Sequence, residues 1–363
     1  MVGVLIHFLK EIINWVSNPP IFLTLSMVAL GTSLFYPKLW TRKGLTIAGL
    51  LTLAFTAFSF TDVNFRAIAL KPDNVPITAL LFLVGFFTWL SLSQAFENDR
   101  RMAAGQPIRE KEEKLEKTFV WPDLVFIEFI ALIVCSFVLI LWSIFLKAPI
   151  EEPANPSDSP PTAKAPWYFL GLQEMLVYYD PWMAGVFIPS LIVVGLMAIP
   201  YIDRDTKGSG YYCFRDRRAQ ITLFLIGFLI LWVLLIVLGT FLRGPNWYFF
   251  GPYEYWDIHK VVTLNNVDLS EFIWARGLGR RLPDHWLIRE SFGILLVLAY
   301  MVLPPYLLAK KWFRHYLEKL GLSRYLLMMF LLLTMLSLPI KMYLRWMFNL
   351  KYIVAIPEFF FNI

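Results

Sequence analysis

Apolar residues in this chain come in blocks of 17 to 25. That length crosses ~30 Å of hydrocarbon as a helix. Eight blocks are read, at about 20–36, 44–60, 76–96, 123–146, 182–201, 219–242, 291–309 and 325–347. None alternates with a period of two. Helices, which close their backbone hydrogen bonds within one segment, are therefore expected rather than a barrel. Proline marks several block ends (Pro20, Pro37, Pro76, Pro122, Pro181 and Pro200), where a missing N–H costs least. Ahead of the first block, Leu5, Ile6, Leu9, Ile12, Ile13 and Val16 recur at helical spacing. They predict a helix lying in the membrane interface. The N-terminus has neither a basic leader region nor a small-residue cleavage site, so it does not read as a signal peptide.

Composition agrees with this pattern. Hydrophobic residues make up 58% of the 363 and charged residues only 17%, against about a quarter charged in a soluble domain. The fold class expected is an all-α integral membrane protein of about eight spans. The net charge of +6 does not point to nucleic acid, because Lys and Arg gather in short loops between apolar blocks. Lys38, Arg42 and Lys43 follow the first block. Arg204, Lys207, Arg215, Arg217 and Arg218 follow the fifth. Lys310, Lys311, Arg314, Lys319 and Arg324 follow the seventh. All three loops fall on one side, which the positive-inside rule makes cytoplasmic. The 147–180 loop carries Glu151, Glu152, Asp158, Glu174 and Asp180 and belongs outside, as do both termini. Cys135 and Cys213 form no CxxC pair and no haem-attachment motif.

Candidate chemistry concentrates in KAPWYFLGLQEMLVYYDPW, residues 164–182. Pro166 is suited to open a helix. Trp167, Leu170, Glu174 and Tyr178 then fall on one stripe of it. A short re-entrant or interfacial helix on the outer face is expected. Glu174 has three readings: a proton-transferring carboxylate, a structural one, or one that points to water.

From about 118 to 243 the order of segments resembles the C-terminal half of cytochrome b, called subunit IV where the protein is split. TFVWPDLVFIEF is similar to the entry to that family's first helix. LKAPIEEPANPSDSPPTAKAPWYFLGLQEML is similar to its E-P-A-x-P linker, P-E-W-Y motif and short helix. DPWMAGVFIPSLIVVGLMAIPYIDRD is similar to its second helix. FRDRRAQITLFLIGFLILWVLLIVLG is similar to its basic loop and third helix. The resemblance implies a bacterial cytoplasmic-membrane subunit of a quinol:cytochrome c-type oxidoreductase. Its segment would form part of the outer quinol-oxidation pocket, with Pro166, Trp167, Tyr168, Leu170 and Tyr178 around the quinol. The W-Y-F-L-G-L-Q-E form is similar to that of menaquinol-type enzymes. One departure stands out. The P-E-W-Y positions here read Ala165-Pro166-Trp167-Tyr168, so the usual glutamate is a proline that cannot take a proton. Glu174 is the nearest replacement. A carboxylate desolvated beside a quinol is suited to proton transfer near neutral pH.

The family's haems b need four paired histidines, whereas this chain's His7, His259, His285 and His315 lack that arrangement. The resemblance therefore assigns haem to a separate cytochrome b N-terminal-half subunit, with no haem ligated here. It also implies a Rieske iron-sulfur protein, a c-type cytochrome, lipid and a dimeric complex as partners. Asp123 and Glu128, at the inner end of the fourth block, are candidates for a second, quinone-reducing site, or Asp123 simply caps its helix. The organisation expected is an N-terminal extension (1–117), the subunit IV-like unit (118–243), and an outer loop with two further spans (244–363). A scaffold that has lost catalysis is the alternative reading. A transporter would need ion-binding groups near the bilayer centre, and the blocks are almost uniformly apolar.

Overall fold

The computed structural model describes every residue except Met1, 113–117, 147–152, Ala154, 158–162, 205–211, Leu264 and Phe360. Glu151, Glu152, Asp158 and Lys207, used above for orientation, lie outside the described residues. The chain is an α-helical membrane bundle. Its sole strand pair among the described residues is a C-terminal hairpin, Ala355–Ile356 against Phe361–Asn362. Each of the eight apolar blocks is a helix: Pro19–Phe35, Arg42–Ser59, Val75–Ala103, Val120–Phe145, Met183–Ile202, Arg218–Leu242, Ser291–Lys310 and Leu322–Phe348. They are called spans one to eight below. Six are long and apolar enough to cross a membrane alone. The other two belong to bent pairs. The N-terminal helix (Val2–Val16) turns by 83° into span one, and span two turns by 112° into a short connecting helix, Val63–Ala69.

Local chemistry explains several of these ends. Thr41 caps span two by accepting from the Gly44 N–H. Asp62 accepts from the Asn64 and Phe65 N–H groups and starts the connecting helix. Prolines occupy the first turns of spans one and three. Span four opens differently from expectation. Its first turn begins at Val120 with no side-chain cap, so Asp123 lies inside that turn rather than at the cap position.

The loops sort to two ends of the bundle. At one end Arg215 N–H donates to Asp99, Asn98 donates to the Tyr212 carbonyl, Arg324 donates to the Tyr201 carbonyl, and Arg218 covers the Phe35 ring. This end gathers the basic loops. At the other end Lys10 pairs with Asp62, Asn14 accepts from the Tyr253 N–H, and Ser59 bonds the Tyr253 hydroxyl. This end also holds 163–182, the 243–290 loop and the C-terminal hairpin. Asn362, from that hairpin, donates to Asp180.

The core is off-centre. Spans one, six and eight and the 170–184 segment share one cluster built on Leu23, Met175, Tyr178, Tyr179, Leu235, Leu238, Leu338 and Met342. Residues from all three expected units thus pack together. Span four is the opposite case: it is the most nearly pure apolar helix after span six, and none of its residues is buried.

Candidate functional site

The 164–182 segment is less regular than its pattern suggests. Pro166 precedes a single 3₁₀ turn, Trp167–Phe169, and the α-helix that follows runs only from Leu170 to Met175. Leu170, Glu174 and Tyr178 are all buried, which excludes the reading of Glu174 that points it to water. Trp167 lies outside that α-helix, on the 3₁₀ turn before it. It is 40% exposed, and Tyr168 and Phe169 are more so. The Trp167 and Tyr168 rings meet edge to face at 5.7 Å.

The short helix lies against span six. A Cβ added to Gly239 would stand 3.4 Å from the Leu170 carbonyl oxygen. An added Cβ would thus only reach ordinary van der Waals contact, with the Leu170 backbone and side chain directly beside it.

Glu174 is fully buried and held from three directions. Arg243 donates twice, Nη2 to Oε1 at 2.6 Å and Nε to Oε2 at 3.0 Å. The Tyr178 hydroxyl donates to Oε1 at 3.2 Å and the Trp247 indole to Oε2 at 3.0 Å. Arg243 also donates to the Trp247 carbonyl at 3.1 Å, closing the cluster on itself. Burial opposes the Arg243 charge, but the Glu174 carboxylate outweighs it and holds the guanidinium above its ordinary value. Burial, and then the Glu174 charge, push the Tyr178 phenol well above its ordinary range, so it stays a donor. Tyr179 points the other way and shares a hydrogen bond with Ser337 of span eight at 2.8 Å. Burial raises its phenol to about 12.

Arg243 and Trp247 did not emerge from the sequence reading. A signal existed: Arg243 is the sole charge between Arg218 and Glu254, and Glu174 is the sole charge between Lys164 and Asp180. Two lone opposite charges in apolar surroundings are candidates for a pair.

The other candidates lie apart. Asp123 and Glu128 are exposed, in and just after the first turn of span four. None of the four histidines is in any of the eight spans. His285 Nδ1 accepts from the Leu287 N–H and its ring stacks on Trp286, which is a capping role. Among the described residues no three His, Cys, Asp or Glu side chains are grouped to hold a metal ion. The histidines present thus do not fit the paired arrangement that haem b needs.

The cluster sits wholly within a recognisable stretch. Residues 153–253 match the family described as cytochrome b(C-terminal)/b6/petD. Glu174, Tyr178, Arg243 and Trp247 are all inside it. The stretch is a cytochrome b C-terminal-half, subunit IV-like unit. The resemblance was read over 118–243. The match leaves out TFVWPDLVFIEF and runs ten residues further, to take in the loop that carries Trp247. Members of this family are membrane subunits of bc/b6f-type quinol oxidoreductase complexes, with quinone and haem sites in the complex. No solved structure matches the chain.

Proposed function

We propose that this chain is a subunit of a bc-type quinol:cytochrome c oxidoreductase and supplies one wall of its quinol-oxidation pocket on the outer face. The observation that carries this reading is the Glu174–Arg243 clamp. It fixes the short helix against span six while leaving Trp167, Tyr168 and Phe169 exposed at the same end of the bundle. Flat aromatic rings on a rigid support suit stacking against a quinol ring. A bound quinol would supply two electrons and two protons. Partner subunits that hold haem b and a Rieske cluster would take up the electrons.

This chain's own task is to bind and orient. Leu170 and Tyr178 contribute from the buried side, and Pro166 sets the direction in which the aromatic turn leaves the linker. Glu174 is a positioning residue in this arrangement. Its two oxygens accept four hydrogen bonds, so taking a proton would require a donor to be displaced. The basic end of the bundle is the cytoplasmic one, which puts the clamp and both termini outside. Asp123 and Glu128, exposed near the start of span four, then serve an inner quinone site completed by a partner. Full inner-site inhibitor binding by a complex carrying Glu128→Gln would remove Glu128 from that role.

The test is quinol oxidation by the intact complex carrying Trp167→Ala or Glu174→Gln, measured across pH. Trp167→Ala should raise KM for quinol with little loss of assembly. Glu174→Gln should lower activity by the same factor at every pH. A loss confined to one limb of the pH profile would instead make Glu174 the proton acceptor. If neither variant alters quinol oxidation, the segment is not part of the pocket. A second reading, a non-catalytic scaffold, is favoured by one observation: the position that carries the family's motif glutamate is Pro166. Binding of a quinol analogue that Trp167→Ala abolishes would exclude it.

A further inference from the structure

A cavity of about 340 Å³ opens at the same end of the bundle as the clamp, outside the short helix. Three separate stretches line it. The span two–span three connection gives Asn64, Ile68, Lys71 and Asn74, the linker gives Lys164, and the outer loop gives Trp256, with Glu254 and Tyr255 beside it.

The lining has excess donors. Lys164 Nζ donates to the Thr240 carbonyl at 2.8 Å and stands 4.7 Å from the centre of the Trp256 ring. It has two further protons to give. The Trp256 indole nitrogen is buried and has no hydrogen-bond partner. The Asn64 amide spends one proton on the Tyr253 carbonyl and keeps another. Lys71 pairs only loosely with Asp73, at 3.6 Å, with both side chains half exposed. Glu254 is the sole acid of the lining, and Lys260 stands 3.7 Å from it. Burial, and then the charge on Lys71, pull the Lys164 amine down to about 7. A nearby anion would relieve both effects.

We propose that this cavity seats the phosphate of an anionic membrane lipid. Two lysine amines and a carboxamide line a space large enough for a phosphodiester headgroup, beside the Trp256 ring. The rim is also right for a lipid. Val63 and Leu70 flank the connecting helix and are more than half exposed, offering acyl chains a path along span two. Trp256 and Tyr255 are residue types that sit at headgroup depth. A free phosphate would use the same donors but not this apolar rim. The site is built from the extension and the outer loop as much as from the cytochrome b-like stretch, and the proposal does not depend on the quinol reading.

The experiment uses the full chain, purified in detergent and delipidated, then titrated separately with phosphatidylglycerol, phosphatidylcholine and inorganic phosphate. Bound lipid is counted by native mass spectrometry and the melting temperature is followed in parallel. One phosphatidylglycerol per chain should be retained and should raise the melting temperature, while phosphatidylcholine should not. Each lysine near a lipid surface contributes about fivefold in affinity, so Lys71→Gln should weaken binding about fivefold and Lys71→Gln with Lys164→Gln about 25-fold. Lys71→Gln alone keeps the test valid if the double variant fails to fold, because Lys71 is half exposed. Equal retention of phosphatidylglycerol by the wild type and Lys71→Gln would overturn the proposal. So would saturation by inorganic phosphate with no preference for the lipid.

Discussion

Glu174 and Lys341 are both buried to within 1% of complete, and each is the sole charge in a long apolar run. They flank the same pair of tyrosines, but their surroundings differ. Glu174 lies on the Tyr178 side and accepts four hydrogen bonds, two of them from a guanidinium of opposite charge. Lys341, in span eight, lies on the Tyr179 side. It has the Tyr179 and Tyr352 rings at 5.8 Å each, and its amine has no hydrogen-bond partner among the described residues. One turn further on, Nη1 of Arg345 is also buried without a partner. Burying an ion is costly unless it is paired and hydrogen-bonded. Glu174 meets that condition within one chain, so its cluster is architecture that can form before any partner arrives. Lys341 does not meet it. An intramembrane cation that its own chain leaves unsatisfied is where function or a missing component is to be sought.

The comparison breaks or sharpens by experiment. The largest effect is expected at the satisfied cluster. Glu174→Ala strands Arg243 and should destabilise the chain by about 3–5 kcal/mol in a denaturant or thermal melt. Glu174→Leu combined with Arg243→Leu should recover most of that loss. If the single and double changes cost the same, the clamp contributes through packing alone. At the unsatisfied site the sign reverses. Lys341→Met removes a stranded donor and should stabilise the isolated chain by about 1–3 kcal/mol. A drop in melting temperature would show that Lys341 is already answered within the chain, with Asp268 the acid that acts on it.

The smallest effect concerns Lys164, which is part-buried and partly screened. Its amine is lowered to about 7 from an ordinary 10.5. Between those values the unfolded chain binds the proton and the folded chain does not, so stability should rise with pH across that window. Below about 7 both states are protonated and the penalty is fully present. Lys164→Met should flatten the rise, and equal slopes for the two proteins would reject the assignment.

Much of the architecture was legible in advance because bilayer thickness imposes a length. All eight apolar blocks became helices, seven of them within three residues of their expected ends, while span three runs seven residues further, to Ala103. The outer segment was legible by motif order, but its geometry was not. Trp167 and Tyr178 share a stripe only if the helix is continuous, and the α-helix covers only Leu170–Met175, with both residues beyond its ends. Helical periodicity does not register how short such a helix is. The cap expected at Asp123 failed for a related reason: the first turn of span four starts upstream of it. Arg243 and Trp247 were passed over because they lie about 70 residues from Glu174, beyond the reach of any local pattern.

Sequence by itself determined the solvent of this protein, the number of its long apolar helices, the end of the bundle that carries the basic loops and the stretch similar to the C-terminal half of cytochrome b. Those follow from hydropathy, length and charge placement, which are local properties. Only the tertiary structure decided which buried charges are answered. Whether Glu174 meets Arg243, whether Lys341 meets anything, and whether Lys71 and Lys164 share one cavity depend on how helices distant in the chain are set side by side. Coulomb energy at a few ångströms in a low-dielectric interior makes those adjacencies decisive.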